Sequence, residues 1–257
     1  MIYIGDTGYT VAIPGVKKIY QGSNFIGLVK SDEHTTHLVR DFTLSSAISE
    51  NNVDDDKCLL TLPTNVSKSW IISNLLNVPT STANNLKLKV KFKLIINSET
   101  PSASGISINL ACCGNPNTSV NNYGNLAPDL GLYYTSSYGG QNSFIGRFPR
   151  DTGVDGGLEL YKRNEGILDF NKWFTMSIET NSSNPRATLK IIDENGNTYT
   201  DTNNNAPSLK YARERVYLGF NTGYTSQDIS IVYDLKECGL FSRDESIAYW
   251  TPYKIVE

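Results

Sequence analysis

The sequence predicts an all-β fold, an antiparallel two-sheet sandwich with a short β segment at its N-terminal end. Three observations carry this. The first is the alternation of Leu86, Leu88, Val90, Phe92, Leu94 and Ile96 with Lys87, Lys89, Lys91 and Lys93. A period of two puts one set on an apolar face and the other toward water, as in a half-buried strand. The second is the stretch from Trp173 to Phe220, where Phe174/Met176/Ile178, Ala187/Leu189/Ile191 and Val216/Leu218/Phe220 repeat the alternation. These read as three successive strands of one sheet. The third is Asn195-Gly196, a pair suited to the φ > 0 positions of a two-residue type I′ hairpin turn.

Length and composition limit the alternatives. At 257 residues, the chain has room for one large all-β domain, or one domain with a small appendage. An apolar fraction of 39% and a net charge of −3 fit a globular protein with an ample core. They argue against nucleic acid or an anionic membrane as the main partner. The apolar runs are too short for a membrane helix, and MIYIGDTGYT lacks the basic-then-apolar pattern of a secretion signal. Cys58, Cys112, Cys113 and Cys238 form no CxxC pair, and His34 and His37 are the only histidines. Buried free thiols made in a reducing cytoplasm are expected, rather than a zinc site or a disulfide framework. The three Asn-x-Ser/Thr triplets at Asn65, Asn117 and Asn181 are read as chance matches.

Residues 1–27 stand apart from 28–257. Ile2-Tyr3-Ile4-Gly5 and Ile19-Tyr20-Gln21-Gly22 repeat an Ile-Tyr-x-Gly pattern around a Pro14-Gly15 turn. Two or three short strands are expected there, too few for a core of their own. Residues 28–257 form the main domain. His37–Leu44 and Cys58–Leu62 read as its first strands. Asp54-Asp55-Asp56 offers clustered oxygens of the kind calcium takes, but without EF-hand spacing. Solvated acids are the preferred reading, so no cofactor or metal is expected, with calcium the alternative. His34 and His37 lack the spacing and the glutamate of HExxH.

The lysine ladder of 87–93 could grip a phosphate backbone. With no aromatic residues interleaved, it reads instead as a solvent-facing strand, near an edge, that deters unwanted pairing. Gly105–Leu110 is a further strand. Between Cys112 and Gly157 the chain is rich in Asn, Gly, Tyr and Pro, which reads as long loops on a rigid scaffold. The candidate ligand-binding residues on that loop rim are Tyr123, Tyr133, Tyr134, Tyr138, Arg147, Arg150, Asp151 and Asp155. Tyrosine faces, Arg and Asp suit a glycan and a protein partner equally. Asp228–Leu235 is a late strand, Ser242 with Glu245 fits a capping box opening a helical turn, and Trp250, Pro252 and Tyr253 should pack back on the fold.

Two resemblances follow. The Trp-led strand, the strand ending in an Asx-Gly turn, Val-Tyr-Leu-Gly-Phe, and the close Ile-Val-Tyr-Asp-Leu-Lys-Glu-Cys-Gly-Leu-Phe-Ser-Arg-Asp-Glu occur in that order. This order resembles the second half of concanavalin A-like and laminin-G-like jelly rolls. The matching segments are Trp173–Thr180, Ala187–Thr200, Val216–Asn221 and Ile229–Glu245. Lys18-Ile19-Tyr20-Gln21-Gly22-Ser23-Asn24-Phe25-Ile26 resembles short N-terminal modules of tailed-bacteriophage structural proteins. That resemblance implies an attachment piece, with Tyr3, Ile13, Ile19, Tyr20 and Phe25 as assembly residues.

Glycoside hydrolases on this fold place paired carboxylates on one strand as Glu-x-Asp-x-x-Glu or similar, and no such pattern occurs here. Nor is there a Gly-x-Ser-x-Gly elbow or a P-loop. The expectation is a non-catalytic virion protein, such as a capsid decoration, head-fibre or tail-fibre component, displaying a lectin-like jelly roll. It would be made in the host cytoplasm and reside in the virion as a homo-oligomer. Its partners would be other virion proteins and host-surface glycan, with no nucleic acid and no membrane. A stand-alone carbohydrate-binding or adhesion module is the alternative, and a glycoside hydrolase the third.

Overall fold

The structure, a computed structural model, describes residues 16–21, 24–30, 37–63, 69–79, 85–96, 107–114, 130–138, 141–148, 158–163, 171–204, 214–221 and 229–256. In chain order the described strands are β1 (Val16–Gln21), β2 (Asn24–Lys30), β3 (His37–Arg40), β4 (Phe42–Leu44), β5 (Val53–Asp54), β6 (Leu59–Pro63) and β7 (Ile71–Ser73). The middle of the chain supplies β8 (Leu86–Ile96), β9 (Ser107–Gly114), β10 (Leu130–Tyr138), β11 (Gln141–Phe148), β12 (Leu158–Arg163), β13 (Trp173–Thr180) and β14 (Ala187–Asp193). The last are β15 (Thr198–Asn203), β16 (Arg215–Asn221), β17 (Ile229–Asp234), β18 (Gly239–Ser242), β19 (Ala248–Trp250) and β20 (Tyr253–Val256).

The chain divides into two compact units, Arg40–Tyr253 and a smaller one of Met1–Val39 with Lys254–Glu257. In the smaller unit β1 and β2 form an antiparallel hairpin, with a register irregularity between Ile19 and Tyr20. Strand β3 pairs with β20 in a separate two-stranded sheet. Leu38, Val39, Ile255 and Val256 on this ribbon are exposed.

The larger unit is an antiparallel sandwich of jelly-roll type. One sheet has the order β12-β11-β10-β9-β16-β7-β4, and the other β15-β14-β13-β8-β17-β6-β5, with β18 also on β8 and β19 on β18. Alternate residues of both sheets meet in one core. At its centre two cross-strand pairs face each other. Phe92 and Phe174 are register partners in one sheet, Tyr134 and Phe144 in the other. Their rings lie 5.3–6.3 Å apart in tilted and edge arrangements. Each such pair contributes about 0.5–1.5 kcal/mol beyond the area it buries. Tyr233 is wholly buried and donates its hydroxyl to the Leu110 carbonyl at 2.7 Å, which ties β17 to the opposite sheet.

Several expectations need correction. The lysine strand β8 is central, with β13 along one side and β17 then β18 along the other. It deters no edge pairing, because strands flank it on both sides. Strand β16 lies in the sheet opposite β13 and β14, so the three runs between Trp173 and Phe220 are shared between both layers. The expected single strand His37–Leu44 breaks at Asp41 into β3 and β4, which join different sheets.

The Asn195-Gly196 turn is a three-residue loop rather than a type I′ pair. Gly196 has φ +85°, but Asn195 has no positive φ. The Gly196 amide donates to the Asp193 carbonyl, and the Asp193 carboxylate accepts from the Asn195 and Asn197 amides. This is a type I turn closed by a glycine bulge, with the aspartate preceding it as organiser. The expected helical turn at Ser242 is a β18–β19 connection, in which Ser242 Oγ donates to Asp244 and Glu245 takes φ +59°.

Trp250, Pro252 and Tyr253 do pack back. Trp250 Nε1 donates to the Asp41 carbonyl at 2.9 Å, and the Asp41 amide donates to the Pro252 carbonyl at 2.8 Å. All four cysteines are free and buried, as expected. The acidic cluster is spent on pairing. Asp55 accepts two hydrogen bonds from Arg40, at 2.6 and 2.7 Å, and one from the Tyr253 hydroxyl at 2.8 Å, while Arg40 also reaches Glu50. Asp54 pairs with Lys57. Among the described residues no group of His, Cys, Asp and Glu is arranged to hold a metal ion.

Candidate functional site

The face of the seven-stranded sheet turned away from the core carries a second cluster: Ile72, Cys112, Tyr133, Ile145 and Tyr217, with Trp70 against it. Strand alternation puts it there. Leu132 and Tyr134, Cys113 and Ala111, and Val216 and Leu218 go to the core, so the residues between them face out. Backbone register then aligns Arg147, Gly131, Cys112, Tyr217 and Ile72 in one row across β11, β10, β9, β16 and β7. Four interstrand steps of about 4.8 Å make this row roughly 19 Å long.

Gly131 is the key to the row. A Cβ there would stand 2.4–2.6 Å from the Tyr133 hydroxyl and ring carbons, so the ring lies folded over the glycine backbone. The two register neighbours of Gly131 are Arg147 and Cys112, and the folded ring meets both. The Arg147 guanidinium stands 5.9 Å from the ring centroid, a cation–π distance, and the Cys112 thiol donates to the Tyr133 hydroxyl at 3.9 Å. Farther along, Trp70 presents an edge to Tyr217 with centroids 6.0 Å apart. Burial pushes the Cys112 thiol up to about 12, and it holds the Tyr217 phenol well above its usual range. Both therefore stay protonated and neutral at neutral pH.

The result is a closed floor with a half-exposed rim. Tyr133, Cys112, Tyr217, Ile72 and Ile145 are 5–7% exposed, whereas Trp70, Arg147 and Arg215 are half-buried. Asn109 and Thr135 add buried polar groups on the same face. An aromatic and two arginines thus stand half-buried around an apolar base. This combination stacks on and hydrogen-bonds a polar ligand. Among the described residues it supplies no pair of carboxylates for acid–base work.

The outward face of the other sheet differs in its electrostatics. Lys87 binds Glu179 and Glu245, Lys89 binds Glu237 and Glu245, and Lys91 binds Asp234, all at 2.9–3.3 Å. Burial pulls the Lys87 and Lys89 ammonium groups down, but the carboxylates more than offset it and raise both. Trp173 lies under Lys91 and Lys93, at 5.6 and 4.9 Å. The ladder is a neutralised surface, not a basic patch.

Of the expected rim residues, the structure places Tyr133 and Arg147 together, on strands rather than on a loop. Tyr134 is a correction. It points into the core against Phe144 and is fully buried, because adjacent residues of β10 face opposite ways. Tyr138 ends β10, and its side chain lies outside the described residues, as do Tyr123, Arg150, Asp151 and Asp155. The stretch expected to be mostly loop contains the β10–β11 hairpin. Of the assembly residues, Ile19 and Tyr20 lie on β1 and Phe25 on β2, with Tyr20 in register with Phe25, while Tyr3 and Ile13 lie outside the described residues. Trp70, Cys112 and Tyr217 were missed. The available signal was an aromatic out of phase in an apolar strand, as Tyr217 is between Val216 and Leu218.

No family model matches the chain, and no curated protein sequence does. Solved structures resemble it at low identity. The binding domain of botulinum neurotoxin serotype D is 13% identical with a TM-score of 0.49, over 84% of this chain and 45% of that one. A legume lectin-like domain from Entamoeba histolytica is 11% identical at 0.47, over 76% and 87%. An endo-β-1,4-glucuronan lyase from the fungus Trichoderma reesei is 13% identical at 0.47, over 84% and 94%. The chain spans about half the length of the neurotoxin domains it matches. At such identities no residue's role carries over from these proteins.

Proposed function

We propose that this chain is a non-catalytic recognition module that binds carbohydrate on the outward face of its seven-stranded sheet. The observation that carries this is the floor-and-rim arrangement, with Tyr133 seated on Gly131 and flanked by Arg147, and with Trp70 standing at the far end. Sugar rings offer apolar faces for aromatics and hydroxyls for Arg, Asn and Thr, and the row is long enough for an oligosaccharide. The described strands of this sheet hold one acid, Glu159 on β12, and so no pair of carboxylates, which supports binding over hydrolysis. No cofactor or metal is assigned to it.

The module is carried, in this reading, by a virion structural protein, a capsid decoration, head-fibre or tail-fibre component assembled from several copies. The Ile-Tyr-x-Gly repeat of residues 1–27 supports it, as does the exposed apolar ribbon of β3 and β20. A glycan array with and without calcium tests the recognition half. Binding independent of calcium is expected, and no binding by folded protein would overturn it. Deleting residues 1–27 should abolish incorporation into particles while the sandwich stays folded; retained incorporation would sink the anchoring half.

A further inference from the structure

The chain has three tryptophans, and packing accounts for two of them. Trp250 is buried, with its indole N–H on the Asp41 carbonyl. Trp173 carries Lys91 and Lys93 over its ring. Trp70 is half-buried on the recognition face, where Tyr133 and Tyr217 are only 5–6% exposed. Tyr133 is moreover closed between the Gly131 backbone and the Arg147 guanidinium, so its ring is floor. Among the described side chains of this face, Trp70 is the aromatic with surface to offer a ligand.

Trp70 is also held in place. Its amide donates to the Ser45 hydroxyl at 3.2 Å and its carbonyl accepts from the Ser45 amide at 2.9 Å, which fixes the backbone at the entry to β7. Ser45 is itself buried. The indole stands at 83° to the Tyr217 ring, with centroids 6.0 Å apart. Tyr217 is a firm backing, because its chain neighbours Val216 and Leu218 are locked in the core. The β7–β16 register pairs Ile72 with Tyr217 and Ile71 with Leu218, and one residue further it sets Gly219 level with Trp70. A Cβ at Gly219, where φ is +80°, would stand 2.0 Å from Leu62 Cδ1. Core packing thus keeps that position a glycine, and a glycine lays no side chain across the indole.

A broad aromatic ring that is fixed yet half open is a preorganised stacking surface, since little freedom is lost when a ligand lies on it. A pyranose with mostly equatorial hydroxyls matches it, because its axial C–H bonds form an apolar ring face. We propose that Trp70 is the stacking platform of this face, that Tyr217 positions it, and that the ligand is a pyranose of the glucose or galactose type. This rests on the reading of the face as a carbohydrate surface.

The test titrates lactose and cellotetraose into the full chain, with the open-chain polyol galactitol as a control that has the hydroxyls but no ring. Isothermal titration calorimetry reads affinity, and tryptophan emission reads contact with an indole. At least one saccharide should bind and shift the emission, and galactitol should do neither. Trp70→Ala should weaken binding about tenfold or more. Trp70→Tyr should keep part of the affinity, and both variants should lose the emission shift. Trp173→Phe on the opposite sheet should retain affinity and shift alike. Tyr217→Leu should weaken binding about threefold, and Tyr217→Phe, which keeps the ring pair, should restore it. Thermal melts check that each variant is folded. Undiminished binding by folded Trp70→Ala, or an emission shift that survives in Trp70→Tyr, overturns the platform and leaves carbohydrate recognition standing. Equal affinity in Tyr217→Leu and Tyr217→Phe overturns the positioning role. Binding of galactitol, or of neither saccharide despite hits on the glycan array, overturns the sugar class. Binding of neither saccharide with an empty array overturns the carbohydrate reading itself.

Discussion

Replacing Gly131 by alanine should unseat the Tyr133 ring, and the cost can be worked from the contact. The new methyl would stand 2.4 Å from the Tyr133 hydroxyl and 2.5–2.6 Å from two ring carbons, well inside van der Waals contact. The ring must shift, at an overpacking cost of about 1–3 kcal/mol. Against this, exchanging glycine for alanine in a strand gains roughly 0.5–1 kcal/mol of backbone entropy. The single variant should therefore lose up to about 2.5 kcal/mol. In a Tyr133→Ala background the clash is gone, and the same change should be stabilising. Urea unfolding of the two single variants and the double variant, followed by tryptophan fluorescence, gives the coupling directly. It should be about 1–3 kcal/mol, or roughly 2–12 °C in melting temperature for a domain of this size. A coupling below about 0.5 kcal/mol, the error of simple additivity, would refute the account of how the ring is held.

Thr180 is fully buried and accepts the Leu86 amide at 3.0 Å, where β8 begins. Thr180→Val keeps the shape and strands that donor, so denaturant unfolding should show a loss of about 1–3 kcal/mol. Asp55 gives a pH prediction. The Arg40 hydrogen bonds hold its carboxyl below the usual value, partly opposed by burial and aided by Tyr253. A depressed folded value means stability that is present above the unfolded value of about 3.9 and lost as pH falls through the folded one. Because Asp55 is about half exposed, with a side-chain accessibility of 54%, solvent screening keeps the effect small. Wild type should melt at most about 4 °C above Asp55→Asn at pH 6. The gap should close below pH 3; parallel melting curves from pH 6 to 2 would contradict the assignment.

Much of the fold was legible because period-two alternation reports directly which side of a strand is buried. It does not report a strand's neighbours. The lysines of β8 read as an edge because a row of cations on one face looks the same at an edge or at a centre. What distinguishes them is Glu179, Asp234, Glu237 and Glu245, brought alongside by β13, by β17 and by the turns on either side of β18. For the same reason β16 read as a companion of β13 and β14, although it lies across the core from them. The Asn195-Gly196 turn misled because Asp193, two residues before the Asn-Gly pair, captures the amides that set the loop length. At the candidate site Tyr133 and Arg147 were named for their chemistry but placed on a rim. The glycine between them in space, Gly131, is silent until β10 and β11 are set in register.

The sandwich begins and ends at one point. Asp41 enters it beside Pro252, where the chain leaves, joined by an amide hydrogen bond of 2.8 Å and flanked by the Trp250 indole. Neighbouring antiparallel strands stand about 5 Å apart, so the whole module closes on itself like a loop on a short neck. Such a unit behaves as a cassette. It can be spliced into a turn of another protein without prying the host's chain apart. A pull along the backbone is met first by the β3–β20 pairing and then at the neck, by Asp41 and Pro252, before any of it is felt by the aromatic core.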